Sequence, residues 1–298
     1  MIPISDQLRE IEALLCGKQR HLDSLSPAIA ACLAAVKRRG MQPTLDLSED
    51  AFSHAVTVGL DAFLHDREPS REFSPGQTYS PLVELASHDQ VDASNAVINE
   101  LISRQLSEYP ALASQACQLV GELHNNVPAH ARGVGFSIAE YSPGDGLLEL
   151  AVVDCGQGML RNVQWHYPEI ATYAQAIEWC MQEGHTTAAQ ADDWAQWMPG
   201  DAMQNPYGDA VPSREELNHH LGLGLWKLER IAEAAGGAFV VWSGDARLRV
   251  DHGKRAFDTA LSWAGVVVIL RLPIAGNVAL ERQLRLGEME ALARRLEI

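Results

Sequence analysis

The sequence predicts an α/β protein, and three observations carry that prediction. Apolar residues recur at helical spacing in most segments between residues 5 and 126. A turn-rich loop, Ser142-Pro-Gly-Asp-Gly146, joins two strand-like runs at 133–141 and 147–153, the pattern of a hairpin. Two more apolar runs, at 239–242 and 265–272, follow a helical segment that opens on paired glycines.

Composition narrows the class. The chain has 298 residues, room for one large domain or two ordinary ones, with 47% apolar and 21% charged residues. No apolar run approaches bilayer length, and the start, Met1-Ile-Pro-Ile-Ser-Asp6, has no basic n-region. A cytoplasmic location without membrane attachment is therefore expected. A net charge of −16 argues against duplex nucleic acid as a partner. It leaves room for a small anion such as a nucleotide, because backbone dipoles and a metal act locally. Five scattered cysteines, at 16, 32, 117, 155 and 180, read as reduced core thiols rather than a disulfide or zinc framework.

From the beginning, residues 5–19 put Leu8, Ile11, Leu14 and Leu15 on one stripe. Ser26-Pro27 opens a helix over 27–39 whose buried side is Ile29, Cys32, Leu33 and Val36, and Arg38-Arg39-Gly40 ends it. A short strand is expected at 44–47. A helix over 49–65 follows, with Phe52, Val56, Leu60 and Phe63 facing inward. Residues 1–75 are thus a small N-terminal α/β region, either a cap packed on the main domain or a partner-binding element. Residues 66–80 are polar and rich in turn formers, the best linker candidate. Within a connecting segment, 76–110, order restarts at 81–85, and a helix over 92–107 buries Val97, Ile98, Leu101, Ile102 and Leu106.

The next helix, 111–127, carries chemistry. Leu112, Ala116, Leu119, Val120, Leu123 and Val127 form its apolar stripe. Glu122 and Asn126, four apart, share a face, with His130 one turn on if the helix outlasts Pro128. An exposed polar face explains the pair blandly. The functional reading is an acid that polarises a hydroxyl beside an amide oxygen that ligates a hard cation. The strand at 147–153 then delivers Asp154, followed by Gly156 and Gly158. That is either an ordinary Asp-x-Gly turn or a pocket floor open to a flat ligand or a phosphate.

Residues 160–219 break the regularity. A helix around 169–182 uses Ile170, Tyr173, Ala174, Ile177 and Met181. A long stretch with Trp194 and Trp197 then reads as a lid or as disorder. Asp192, Asp193 and Asp209 read as a solvated acidic face, and His219-His220 lacks a third ligand at zinc spacing. Gly222 and Gly224 open the next helix, buried along Leu225, Leu228, Ile231 and Ala235 and closed by Gly236-Gly237. Glycines at a helix N-terminus expose N–H donors to an anion. The spacing fits neither the Walker loop nor the dinucleotide fingerprint.

Together these stretches resemble the GHKL, or histidine-kinase-like, ATPase superfamily. Glu122-Leu-His-Asn-Asn126 with His130 is similar to its N box. Asp154-Cys-Gly-Gln-Gly158 matches the Asp-x-Gly-x-Gly box, and Leu221-Gly-Leu-Gly-Leu225 the second glycine box. Order and spacing agree over roughly 111–275.

The resemblance implies a two-layer Bergerat-type sandwich, a mixed, mostly antiparallel sheet with helices on one face. It implies ATP and Mg²⁺ as ligands in a domain over 111–275 with a lid insertion at 160–219; the remaining residues, 276–298, are expected to form a C-terminal helix. Asp154 would accept from the exocyclic amine of adenine, with Gly156 and Gly158 making room beside it. Asn126 would coordinate Mg²⁺, and Glu122 would be the general base. Gly222, Leu223, Gly224 and Leu225 would hold the phosphates at a helix N-terminus.

The chain departs from the pattern at three points. His220 stands where the second glycine box usually begins with glycine. Ala264-Gly-Val266 stands where Gly-Thr is common, with Thr186 or Thr187 as conceivable substitutes for the threonine. Pro128 sits inside the N-box helix. Residues 22–65 faintly resemble a STAS-like element, and the retained Glu122 resembles the anti-sigma-factor serine kinases.

The function implied is a Mg·ATP-binding regulator that phosphorylates, or captures in an ATP-dependent way, a protein partner. Two alternatives stand beside it: a non-catalytic module switched by nucleotide, and a slow ATPase coupled to dimer opening. Leu280, Leu284, Met289, Leu292 and Leu296 could support a homodimer, or pack on their own domain.

Overall fold

Four side-chain caps set where helices begin. Ser26, Ser48, Ser87 and Thr172 accept from the backbone N–H groups of Ile29, Ala51, Gln90 and Gln175 at 3.4, 3.1, 3.3 and 3.2 Å. Each leads into a helix by satisfying a donor that the first turn leaves open. A computed structural model of the chain describes residues 3–18, 21–43, 45–68, 77–131, 133–183, 185 and 224–296. Its helices are α1 (Ile4–Leu15), α2 (Pro27–Arg38), α3 (Glu49–Thr57), α4 (Leu60–Leu64), α5 (His88–Gln105), α6 (Pro110–Asn126), α7 (Gly158–Gln164), α8 (Tyr173–Cys180), α9 (Gly224–Ala234) and α10 (Val278–Leu296). Its strands are β1 (His21–Leu22), β2 (Asp46–Leu47), β3 (Val83–Leu85), β4 (Gly135–Ser142), β5 (Leu147–Asp154), β6 (Ala238–Asp251) and β7 (Lys254–Pro273).

Five of these strands form one sheet in the order β3-β4-β5-β7-β6, antiparallel throughout, while β1 and β2 pair separately in parallel. The α/β sandwich expected from the sequence is present, and both sheet faces are covered. Leu148, Leu150 and Val152 pack with α5, α6, α8 and α9. Ala151 and Val153, which point the other way along the same strand, pack with α1 and α2. The N-terminal region therefore forms a layer of its own on the second face.

α2 is the centre of that layer. Ten of its residues, Pro27 to Val36 without a break, are buried, so the helix is apolar on all sides, as a helix enclosed by protein must be. A buried polar network joins the layer to the sheet. Arg271 Nε donates to Glu149 Oε2 at 2.8 Å, and Gln7 Nε2 donates to Glu149 Oε1 at 2.8 Å. Arg271 Nη2 donates to Gln7 Oε1 at 2.9 Å, and the N–H of Ala28, in the first turn of α2, reaches Glu149 Oε1 at 3.1 Å. The carboxylate thus meets a guanidinium and a helix N-terminus at once.

Several elements differ from the sequence reading. The helix expected over 49–65 is two helices, broken at Gly59, which takes φ +83°. The break turns the inward face toward Ala51, Ala55, Leu60 and Ala62 and leaves Phe52 50% exposed. β6 and β7 run well past the short strands expected and form a long hairpin, closed at His252 and Gly253 with φ 48° and 71°. Ala246, Leu248 and Val250 are buried along it, alternating with Arg247 and Arg249. β1 and α7 were not expected.

At the other end, Glu281 of α10 accepts from the N–H groups of Ala111 and Leu112 at 3.1 and 2.9 Å and so caps α6. Leu280 is buried in the same core and Leu284 packs against it, so the start of the C-terminal stripe serves its own domain. Among the described residues no helix is long and apolar enough to cross a membrane.

Candidate functional site

The two-residue alternation of β5 aims Asp154 at the helical layer. It follows Leu148, Leu150 and Val152 on the same face, while Cys155 falls on the opposite face against α2. Asp154 Oδ1 accepts from the Gly156 N–H at 2.7 Å, and Oδ2 accepts from the Val266 N–H at 3.1 Å. Each oxygen keeps a lone pair for another donor. Burial pushes the Asp154 carboxyl up to about 7, against the opposing pull of those two N–H groups and of the Arg39 charge. Burial likewise pushes the neighbouring Cys155 thiol up to about 11, so it is a poor nucleophile.

A bulge supplies the second N–H. The β6–β7 register runs from Ser243↔Val266 to Gly244↔Trp263, which leaves Ala264 and Gly265 as extra residues in β7. Gly265 has φ +111°, and a Cβ there would lie 2.2 Å from the Asp154 carbonyl oxygen. Ser243 Oγ donates to the Gly265 carbonyl at 2.8 Å and accepts from the Met159 N–H at 3.0 Å, tying the bulge to α7. Val266, where threonine is common in the resembling family, therefore meets Asp154 through its backbone.

The box glycines serve contacts within the chain. A Cβ on Gly156 would lie 2.1 Å from the Ala131 carbonyl oxygen. Gly158 has φ +75°, and its Cβ would lie 2.9 Å from Ser243 Oγ.

α6 forms one wall. Glu122 and Asn126 share the face that the spacing predicts, and both line a cavity. Pro128 does not end the helix: residues Val127–Ala131 continue it as a π-helical turn, a form often found at functional sites. Val127 and Ala131 of that turn also line the cavity. His130 belongs to the turn. Across the cavity α9 begins, and its Gly224 N–H donates to Glu122 Oε1 at 3.1 Å.

The cavity holds about 140 Å³, close to the ~150 Å³ that accepts a single aromatic ring in an engineered apolar site. Asp154 is its polar floor, with Val152, Val266, Val268, Met159 and Val163 around it. Asn162, Trp179, Cys180 and His185 also line it and were missed by sequence reasoning. Trp179 and His185 rings lie 4.7 Å apart, and His185 Nδ1 is 3.1 Å from the Trp179 carbonyl oxygen. The signal available was a tryptophan at the end of the 169–182 helix, inside the 160–219 segment read as a lid insertion.

Glu122, Asn126, Asp154, Gly158, Gly224 and Leu225 thus meet at one cavity, and Gly156 stands behind it as a donor to Asp154. Gly222 and Leu223 lie outside the described residues, as do Thr186, Thr187, Trp194, Trp197, Asp192, Asp193, Asp209, His219 and His220.

Among the described residues no group of three His, Cys, Asp or Glu could hold a metal alone. Asn126, one amide oxygen on the wall with Glu122 a turn away, suits Mg²⁺ that keeps its other ligands from phosphates and water. Comparison with protein-family models and with curated proteins finds no match for this chain.

Proposed function

We propose that the protein is a Mg·ATP-binding regulator of cytoplasmic type, which transfers phosphate to a protein partner or binds that partner according to its nucleotide state. One observation carries the reading. Three sequence stretches far apart in the chain, around Glu122/Asn126, Asp154 and Gly224, converge on a single cavity with a buried carboxylate at its floor. An apolar slot of ring size ending in an acceptor fits a flat base with an exocyclic amine. Asp154 would accept from that amine, and its partners Gly156 and Val266 hold the carboxyl in place.

A helix N-terminus and an amide oxygen at the other end fit phosphates with Mg²⁺. Mg²⁺ held by Asn126 would neutralise phosphate charge, and Glu122 would take the proton from the attacking hydroxyl or water. The Gly224 N–H on Glu122 favours a second reading, because an acid engaged at a helix end is less free to act as a base. In that reading nucleotide binding switches a protein interface without turnover.

Titration calorimetry with ATP and Mg²⁺ tests the site: wild type should bind, and Asp154→Ala should not. Absence of binding, or equal binding by both, overturns the assignment. Labelled ATP with co-purifying proteins separates the two readings, since only the first yields a labelled partner.

A further inference from the structure

We propose that Arg39, at the C-terminal end of α2, is a positioning residue for Asp154, so that the N-terminal layer tunes the nucleotide anchor from behind the sheet. The inference rests on the ATP-site reading for its functional meaning, but the contacts of Arg39 with the bulge do not.

Lys37, Arg38 and Arg39 are consecutive cations at the end of a buried helix, and they go different ways. Lys37 pairs with Asp66 at 2.8 Å and Arg38 with Glu84 at 2.6 Å. Arg39 turns to the bulge, where it donates to the Ala264 carbonyl and lies 5.2 Å from the centroid of the Trp263 ring. Trp263 Nε1 in turn donates to the Asp154 carbonyl oxygen at 3.2 Å. One turn back on α2, the Ala35 carbonyl accepts from Cys155 Sγ at 3.4 Å. The last turn of α2 therefore touches both segments that shape the anchor: the turn after Asp154, and the bulge that presents the Val266 N–H.

Other groups surround Asp154. Cys155 adjoins it in its own turn, Gly156 and Val266 donate N–H groups, and Glu122, Asn126 and His185 stand around the cavity. Arg38, near Cys155, is engaged by Glu84. Among these, Arg39 is the cation whose charge acts on the Asp154 carboxyl, and it favours the ionised form that best accepts a hydrogen bond.

The test uses the full chain without nucleotide first. The side-chain carboxyl ¹³C signal that vanishes in Asp154→Asn is titrated in wild type, Arg39→Met and Arg39→Lys. Met keeps apolar packing on Trp263 and removes the charge. Its Asp154 midpoint should move up, with Lys close to wild type. An unchanged midpoint in Arg39→Met, or an equal shift in Arg39→Lys, overturns the proposal whatever happens with ATP.

Mg·ATP binding is then measured. Arg39→Met should bind more weakly than wild type at pH 7 and nearly as well at pH 9, where the carboxyl is ionised in both. A shifted midpoint in a protein that binds no ATP keeps the Arg39–Asp154 coupling and removes the nucleotide reading instead.

Discussion

The backbone N–H of Gly224 donates to Glu122 Oε1 at 3.1 Å, which joins the start of α9 to the C-terminal part of α6. A carboxylate there gains from the helix dipole, by about 0.3–1 kcal/mol at an ordinary helix end. On the proposed reading phosphate needs the same N-terminus, so Glu122 competes with it for that end of the helix.

Glu122→Gln removes the competing charge and the base together. Turnover should fall by about 10²–10⁴-fold, while Mg·ATP affinity should hold or improve by roughly two- to fivefold. Calorimetry alongside a labelled-phosphate assay checks both. Weaker binding in Glu122→Gln would show that the acid supports the ligand instead of yielding to it.

Gly224→Ala probes the same contact sterically. Its new Cβ would lie 2.9 Å from Glu122 Cδ, the far end of a flexible side chain that can swing away. The thermal midpoint should change little, whereas turnover should fall because the acid is displaced. Gly265→Ala is the contrast, because its Cβ meets the backbone of Asp154 at 2.2 Å. With strain at φ +111° added, it should cost more than about 2 kcal/mol in denaturant melts and abolish nucleotide binding. Gly144→Ala, which meets nothing within 4 Å, serves as the neutral control.

Stability should carry two opposite pH slopes. His124 is buried between Asn95 Oδ1 and Ser137 Oγ, each 2.7 Å from a ring nitrogen, and burial lowers its pKa to about 4. The unfolded chain, near 6.5, binds the proton first, so stability is lost as pH falls from about 6.5 to 4. Asp154 runs the other way. Its folded value of about 7 exceeds an unfolded value near 4, so its contribution is lost as pH rises from 4 to 7. The wild-type profile should therefore be flatter than that of either variant. His124→Gln should expose the Asp154 slope, and Asp154→Asn should steepen the loss in acid. Urea melts from pH 4 to 8 measure both.

Arg271→Leu should be among the most damaging substitutions outside the cavity. It leaves Glu149, fully buried, without its guanidinium, a change that typically costs about 3–5 kcal/mol. Replacing both by leucine should cost less than Arg271→Leu alone. If the double variant were no more stable than Arg271→Leu, the charge pair would not be the cause.

The polar residues Glu122, Asn126 and Asp154 that line the cavity were legible because their placement is local. Glu122 and Asn126 share a face through helical periodicity, and Asp154 ends an apolar strand whose alternation fixes its side. The α5 and α6 stripes were legible for the same reason: Ile98, Leu101, Ile102, Leu119, Val120 and Leu123 are all buried. Phe52 shows the limit. Its spacing suits a continuous helix, but a left-handed glycine at 59 resets the phase, and the large ring is left half exposed.

By itself the sequence determined the α/β class, the period of α5, α6 and β5, and Glu122, Asn126, Asp154, Gly158 and Gly224 around the cavity, since these follow from spacing along a few turns. Tertiary structure decided what lies behind them. Pro128 was accommodated by a π-turn because Gly156 and Gln157 pack against Ala131. Val266 reached Asp154 with its backbone because a bulge rotated β7 at Gly265. The N-terminal region became a layer because Glu149 and Arg271, polar residues in apolar strands, needed Gln7 and the start of α2 as partners. Such contacts join residues from about 25 to more than a hundred positions apart, and no local pattern encodes which of the compatible partners will meet.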